Sequence, residues 1–149
     1  MKEGTARLLA ASIFLWTAAV PDLRTKRIPV WIPAVFLPVA AASGLFNPAA
    51  AGRREFLAGA VPGLAFLLIS AVSGGKIGEG DGICLLVCGL FAGLKGTLQI
   101  TETALLFVLP AGALLLMTGR FRAEDRLPFV PFLAAASTIL MVCCGLGRL

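Results

Sequence analysis

Two short stretches hold the residues best suited to chemistry in an otherwise apolar sequence. They are Pro21-Asp22-Leu23-Arg24-Thr25-Lys26-Arg27-Ile28-Pro29 and Gly78-Glu79-Gly80-Asp81-Gly82. Each places an aspartate where a polar stretch meets a long apolar one. A carboxyl group at such a partly dehydrated boundary keeps its proton to a higher pH than it would in water. Two of them brought together cannot both ionise cheaply, so they share one proton. The ionised partner is then a base that activates water. The protonated partner is an acid that polarises a carbonyl and protonates a leaving amine. This is the chemistry of aspartyl amide hydrolysis, and it needs no metal and no cofactor. Nor does it need histidine, of which the chain has none.

Such groups need a frame. Of the 149 residues, 58% are hydrophobic and 14% charged, and the mean hydropathy is +0.94. A soluble domain is roughly 45–50% apolar and 25% charged, so the composition points to one membrane-embedded domain over residues 1–149. Charges and prolines divide it into six apolar segments: Ala6–Val20, Ile28–Phe46, Phe56–Ser73, Gly82–Leu94, Ile100–Thr118 and Pro128–Leu146. None alternates polar with apolar residues as a barrel strand does, so helix is the state expected. The fold class is therefore an all-α polytopic bundle of six transmembrane helices. Lys2 and Arg7 before Leu8–Val20 also suit a signal peptide. A retained first helix is expected instead, because the polar cluster around Asp22 follows directly.

The net charge of +5 is divided among short loops on both sides of this layout. It therefore reads as topology signal and contact with membrane lipid, not as a nucleic-acid track. With six spans, Asp22, Glu79, Asp81, Glu124 and Asp125 face one compartment. Cys84, Cys88, Cys143 and Cys144 all lie in apolar runs. Cys84 and Cys88 share one helix face and are expected to pack as small apolar residues rather than bind metal. Gly78, Gly80 and Gly82 are expected to permit positive φ and close backbone approach, and so to present hydrogen-bonding groups to an unwound substrate segment. Asp81 falls near the start of a helix, where the dipole favours negative charge.

Each stretch alone also fits turn chemistry, as in a membrane scaffold without catalysis. Two acids on one side of the membrane point further, since ionisable groups at that depth are costly and usually functional. An alternative class is a small proton- or ion-coupled transporter subunit using the acids as a relay, with its acids expected near mid-membrane.

The order D-x-x-x-x-R-I-P and then G-x-G-D resembles the type IV prepilin peptidases, of the GxGD class of intramembrane aspartyl peptidases. Leu127-Pro128-Phe129-Val130-Pro131-Phe132-Leu133 is similar to that family's third motif. The layout resembles the short single-domain members found with Tad/Flp-type pilus systems. The resemblance implies that Asp22 and Asp81 are catalytic. It also implies that Gly78, Glu79, Gly80, Arg27 and Pro29 line the substrate, and that the substrate is a prepilin whose basic leader is removed on the cytosolic side of the inner membrane. Glu79, Glu124 and Asp125 could attract that leader, though Glu124 and Asp125 equally suit pairing with nearby arginines. Val30, Ile83 and Val130 depart from common family residues at positions that bear on substrate contacts. Larger relatives carry a cysteine-rich segment linked to N-methylation, which this sequence lacks, so cleavage without methylation is expected.

Overall fold

A computed structural model describes residues 2–46, 53–73, 78–118 and 128–146. Among these residues there are helices and no strands. In chain order they are α1 (Lys2–Thr25), α2 (Trp31–Phe46), α3 (Arg53–Gly59), α4 (Val61–Val72), α5 (Glu79–Met117) and α6 (Val130–Leu146). Helix α5 packs against each of the other five.

The core follows from helical spacing. On α1 the buried residues are Ala11, Phe14, Leu15, Ala18, Ala19 and Asp22, the three-and-four rhythm of a single helix face. The same rhythm runs through Cys84, Leu85, Cys88 and Phe91 on α5, and through Val130, Leu133, Ala134 and Ser137 on α6. The outward face of α1 (Ile13, Trp16, Val20, Leu23) is just as apolar and is exposed, as expected of a helix whose solvent is lipid. The first helix is thus an integral part of the core.

Three helical stretches are long and apolar enough to cross a membrane: Thr5–Thr25, Arg54–Val72 and Glu79–Leu115. Trp31–Gly44 and Val130–Cys143 are shorter apolar helices. Three sequence-derived boundaries need revision. Helix α1 does not stop at Val20 but runs through Pro21 to Thr25. Only one intrahelical donor is lost at that proline, and Thr25 Oγ1 donates back to the Pro21 carbonyl at 2.9 Å. The Arg54–Val72 stretch breaks at Ala60 into α3 and α4, where Pro62 cannot donate to the carbonyl four residues back.

The expected fourth and fifth segments lie on one element, α5, which would be ~58 Å long if straight. It is not straight. Gly93 has φ 73° and ψ 174°, a conformation essentially confined to glycine. Beyond it the chain folds back, so that Thr97 Oγ1 comes within 3.4 Å of where a Cβ on Gly89 would stand. In a straight helix those two residues would be ~12 Å apart along the axis.

Close backbone approach fixes α3 and α4 on the first arm of α5. A Cβ on Gly59 would collide with the Gly89 carbonyl, one on Gly89 with the Gly59 carbonyl, and one on Gly63 with the Leu86 backbone. Small residues at helix crossings are the usual means of tight packing in lipid.

Candidate active site

Asp22 lies in the last turn of α1, not in the loop where its sequence context places it. Its position on the buried stripe leaves it 5% exposed, and it is the one charged side chain among the buried described residues. The buried hydroxyls of Ser12, Thr97 and Ser137 return to carbonyls of their own helices. Asp22 has no such recourse. It accepts a hydrogen bond from the backbone N–H of Val130, the first residue of α6. Its Oδ2 has no hydrogen-bond partner among the described residues. The main chain here is held by Lys26 N–H donating to the Asp22 carbonyl at 2.9 Å. Lys26 adopts φ 51°, the left-handed turn that commonly closes a helix.

Asp81 lies in the first turn of α5 and is half-buried. Its N–H donates to the Gly78 carbonyl at 3.1 Å. Its carboxyl folds back over Gly78, with Oδ2 2.9 Å from where a Cβ on that glycine would stand. One turn further on is Cys84, which is fully buried and lies within electrostatic reach of both Asp81 and Asp22. Two carboxyls 59 positions apart in the chain thus lie within electrostatic reach of one thiol.

The first motif also packs onto the second. Ile28 Cδ1 lies 2.9 Å from the place of a Cβ on Gly80, while Leu67 of α4 covers Gly82 in the same way. Among the described residues Gly93 is the one glycine with positive φ. The expectation of positive φ at Gly78, Gly80 and Gly82 is thus replaced by a packing role: each has a side chain pressed against its Cα. Nor do Gly80 and Gly82 form a free edge, since both lie within α5 under neighbouring side chains.

Pro29 is half-buried, and its carbonyl accepts from Ile32 N–H at 3.1 Å to start α2. Arg27 and Glu79 are exposed. The structure thus joins Asp81 to Gly78 and Ile28 to Gly80, brings Asp22 and Asp81 within electrostatic reach of Cys84, and leaves Arg27 and Glu79 exposed. Glu124 and Asp125 lie outside the described residues, as does Leu127 at the start of the third motif. Phe129 of that motif stacks on Phe66 of α4, with ring centroids 6.1 Å apart and planes at 5°. On the outer face of the bundle, Trp16 Nε1 donates to Thr138 Oγ1 at 3.0 Å and pins α1 to α6. Cys84 and Cys88 are buried, unbridged packing residues, as their spacing implied. Among the described residues no cluster of three His, Cys, Asp or Glu side chains is placed to hold a metal.

This arrangement spans the interval matched by the family model described as "Type IV leader peptidase family", residues 9–146. The chain belongs to that family. A curated relative, the prepilin leader peptidase/N-methyltransferase of Bacillus subtilis (strain 168), is 34% identical over 122 residues. The alignment covers 81% of this chain and 49% of the relative, so the chain spans about half that protein's length. No solved structure matches the chain. Membership in the type IV leader peptidase family, with helices of this length and apolarity, marks an integral membrane protein. The matched interval contains both aspartates, the Ile28–Gly80 contact and the start of α6.

Sequence reasoning missed two features. One is Cys84 as a thiol within electrostatic reach of both acids. Its place one turn after Asp81 was legible, but the partner across the bundle was not. The other is Val130, whose contribution is a backbone N–H that residue type does not reveal.

Proposed function

We propose that this chain is an intramembrane aspartyl endopeptidase that removes the basic leader of prepilin-like proteins at the cytosolic face of the inner membrane. Asp22 and Asp81 hold one proton between them. The ionised carboxylate takes a proton from water as its oxygen attacks the scissile carbonyl carbon, and the other carboxyl gives its proton to the carbonyl oxygen. When the tetrahedral intermediate collapses, the C–N bond breaks and the amine leaves with the proton first taken from water. One water is consumed and the shared proton is restored. The two arms of α5 each cross the bilayer, giving six spans and leaving both aspartates on one side.

One observation supports this most: a buried carboxyl at the end of α1 and a half-buried one at the start of α5 lie within electrostatic reach of the same thiol. Exposed Glu79 at the rim suits a basic leader. The test is co-expression with a prepilin and mass spectrometry of its N-terminus. Asp22→Asn and Asp81→Asn each leave the full-length precursor, while the protein still accumulates in membranes with an unchanged helical spectrum. Full cleavage by either variant refutes the proposal.

A further inference from the structure

The head of α6 has an unusual deficit. The residues before it, Pro128 and Phe129, have no side-chain oxygen to cap its free N–H groups. Pro131 has no N–H to offer. The N–H groups of Phe132 and Leu133 both go to the Phe129 carbonyl, at 3.1 and 3.2 Å. The Val130 N–H, at the positive pole, is spent on Asp22 of another helix. The Asp22 side chain is 5% exposed, and its second oxygen is unpartnered among the described residues.

We infer that Val130 is a positioning residue: its backbone N–H fixes one oxygen of Asp22 on the pole of α6, so that Oδ2 alone is turned to the proton shared with Asp81. This deepens the proposed peptidase mechanism and rests on it. The anchor is itself held, because Phe129 is stacked on Phe66 and Trp16 ties the same two helices further down. Helices α2, α4 and α6 carry no charged residue, and Cys84 of α5 lies within electrostatic reach of both Asp22 and Asp81.

Val130→Pro removes this N–H at a helix position where proline is tolerated, because no intrahelical bond is lost there. With a synthetic substrate of a basic leader followed by an apolar segment, this variant lowers kcat by ~10- to 100-fold, as expected for a catalytic group freed from its charge-assisted hydrogen bond. KM stays within about twofold, because the group removed is a buried backbone N–H spent on Asp22 and not on the substrate. Val130→Ala keeps the N–H and recovers most of the rate. Phe66→Leu, which loosens Phe129 but keeps the N–H, lowers kcat several-fold and decides alone if Val130→Pro does not accumulate in membranes. If kcat is unchanged in Val130→Pro, or in Phe66→Leu when that variant decides, while Asp22→Asn is inactive, the positioning role is overturned and the peptidase proposal stands. If Asp22→Asn is active, the peptidase proposal itself has failed.

Discussion

Gly80→Ala tests whether the two aspartate motifs are one packed unit. The new Cβ would stand 2.9 Å from Ile28 Cδ1 and 3.5 Å from Ile28 Cβ and Cγ1. The nearest atom is the far end of a flexible side chain, so Ile28 turns aside and the backbone stays. Overpacking costs about 1–3 kcal/mol, and the lower end applies where the neighbour can move. Replacing glycine by alanine in a helix returns about 0.5–1 kcal/mol. The net change in stability is therefore within about 1 kcal/mol of zero, and stability alone would hide the clash. Ile28→Val removes Cδ1, the atom in the way, at a cost of about 0.5–1.5 kcal/mol. In the double variant the clash is gone and the helix gain remains, so the pair is more stable than the sum of singles by about 1 kcal/mol. Activity follows the same logic: Gly80→Ala turns the Ile28 side chain aside next to the Asp81 turn and slows cleavage, and Ile28→Val restores much of the rate. Thermal unfolding of the four proteins in one detergent, with cleavage rates measured alongside, completes the cycle. If the double variant is additive within about 0.3–0.5 kcal/mol, and the rate is not restored, the two residues do not share this space and the account of Gly80 is wrong.

Two further substitutions test the frame. Gly89→Ala places its Cβ on the carbonyl of Gly59, which is backbone and cannot swing away. It separates α3 from α5, and thermal unfolding should register a loss of about 1–3 kcal/mol. Gly93→Ala forces a side chain into φ 73°, ψ 174°. It costs about 1–3 kcal/mol and weakens the return of the second arm of α5, which a lower thermal midpoint and faster proteolysis at Lys95 would report.

The stripes that build the bundle were legible because they follow from spacing alone. Phe14, Leu15 and Ala18 lead by three-and-four steps to Asp22, and Cys88 and Cys84 lead back to Asp81. The ends of elements were not legible. Pro21 looked like a stop, yet one lost donor is a small local cost beside the core that α1 gains by continuing. The division after Leu94 was legible from the polar residues that follow, but that Gly93 makes it as a bend with positive φ shows only in its dihedral angles. The glycines of G-E-G-D were read as freedom of the backbone. In the folded chain they are places where Ile28, Leu67 and the Asp81 carboxyl come close, and such partners are set by tertiary packing. The contact between Asp22 and Val130 did leave one trace in the sequence. A helix opening on Leu-Pro-Phe-Val-Pro-Phe has no residue to cap it, which signals that its cap comes from elsewhere.

The depth of the acids bears on which chemistry they can serve. Asp22 is in the last turn of α1 and Asp81 in the first turn of α5, with exposed Arg24, Lys26 and Arg27 just beyond the first. Hydrolysis consumes water, and carboxyls within one helical turn of a charged rim are where water can reach them while the surrounding core keeps them partly dehydrated. A proton relay has a different requirement, since its groups must continue across the membrane. Below Asp22 the buried stripe of α1 continues as alanine, phenylalanine and leucine, and below Asp81 that of α5 continues as cysteine, leucine and phenylalanine. Glu102, on the second arm of α5, faces outward. Among the described residues the buried stripes below the two acids thus hold no further carboxyl, which suits the proposed proton shared at the interface better than a relay across the membrane.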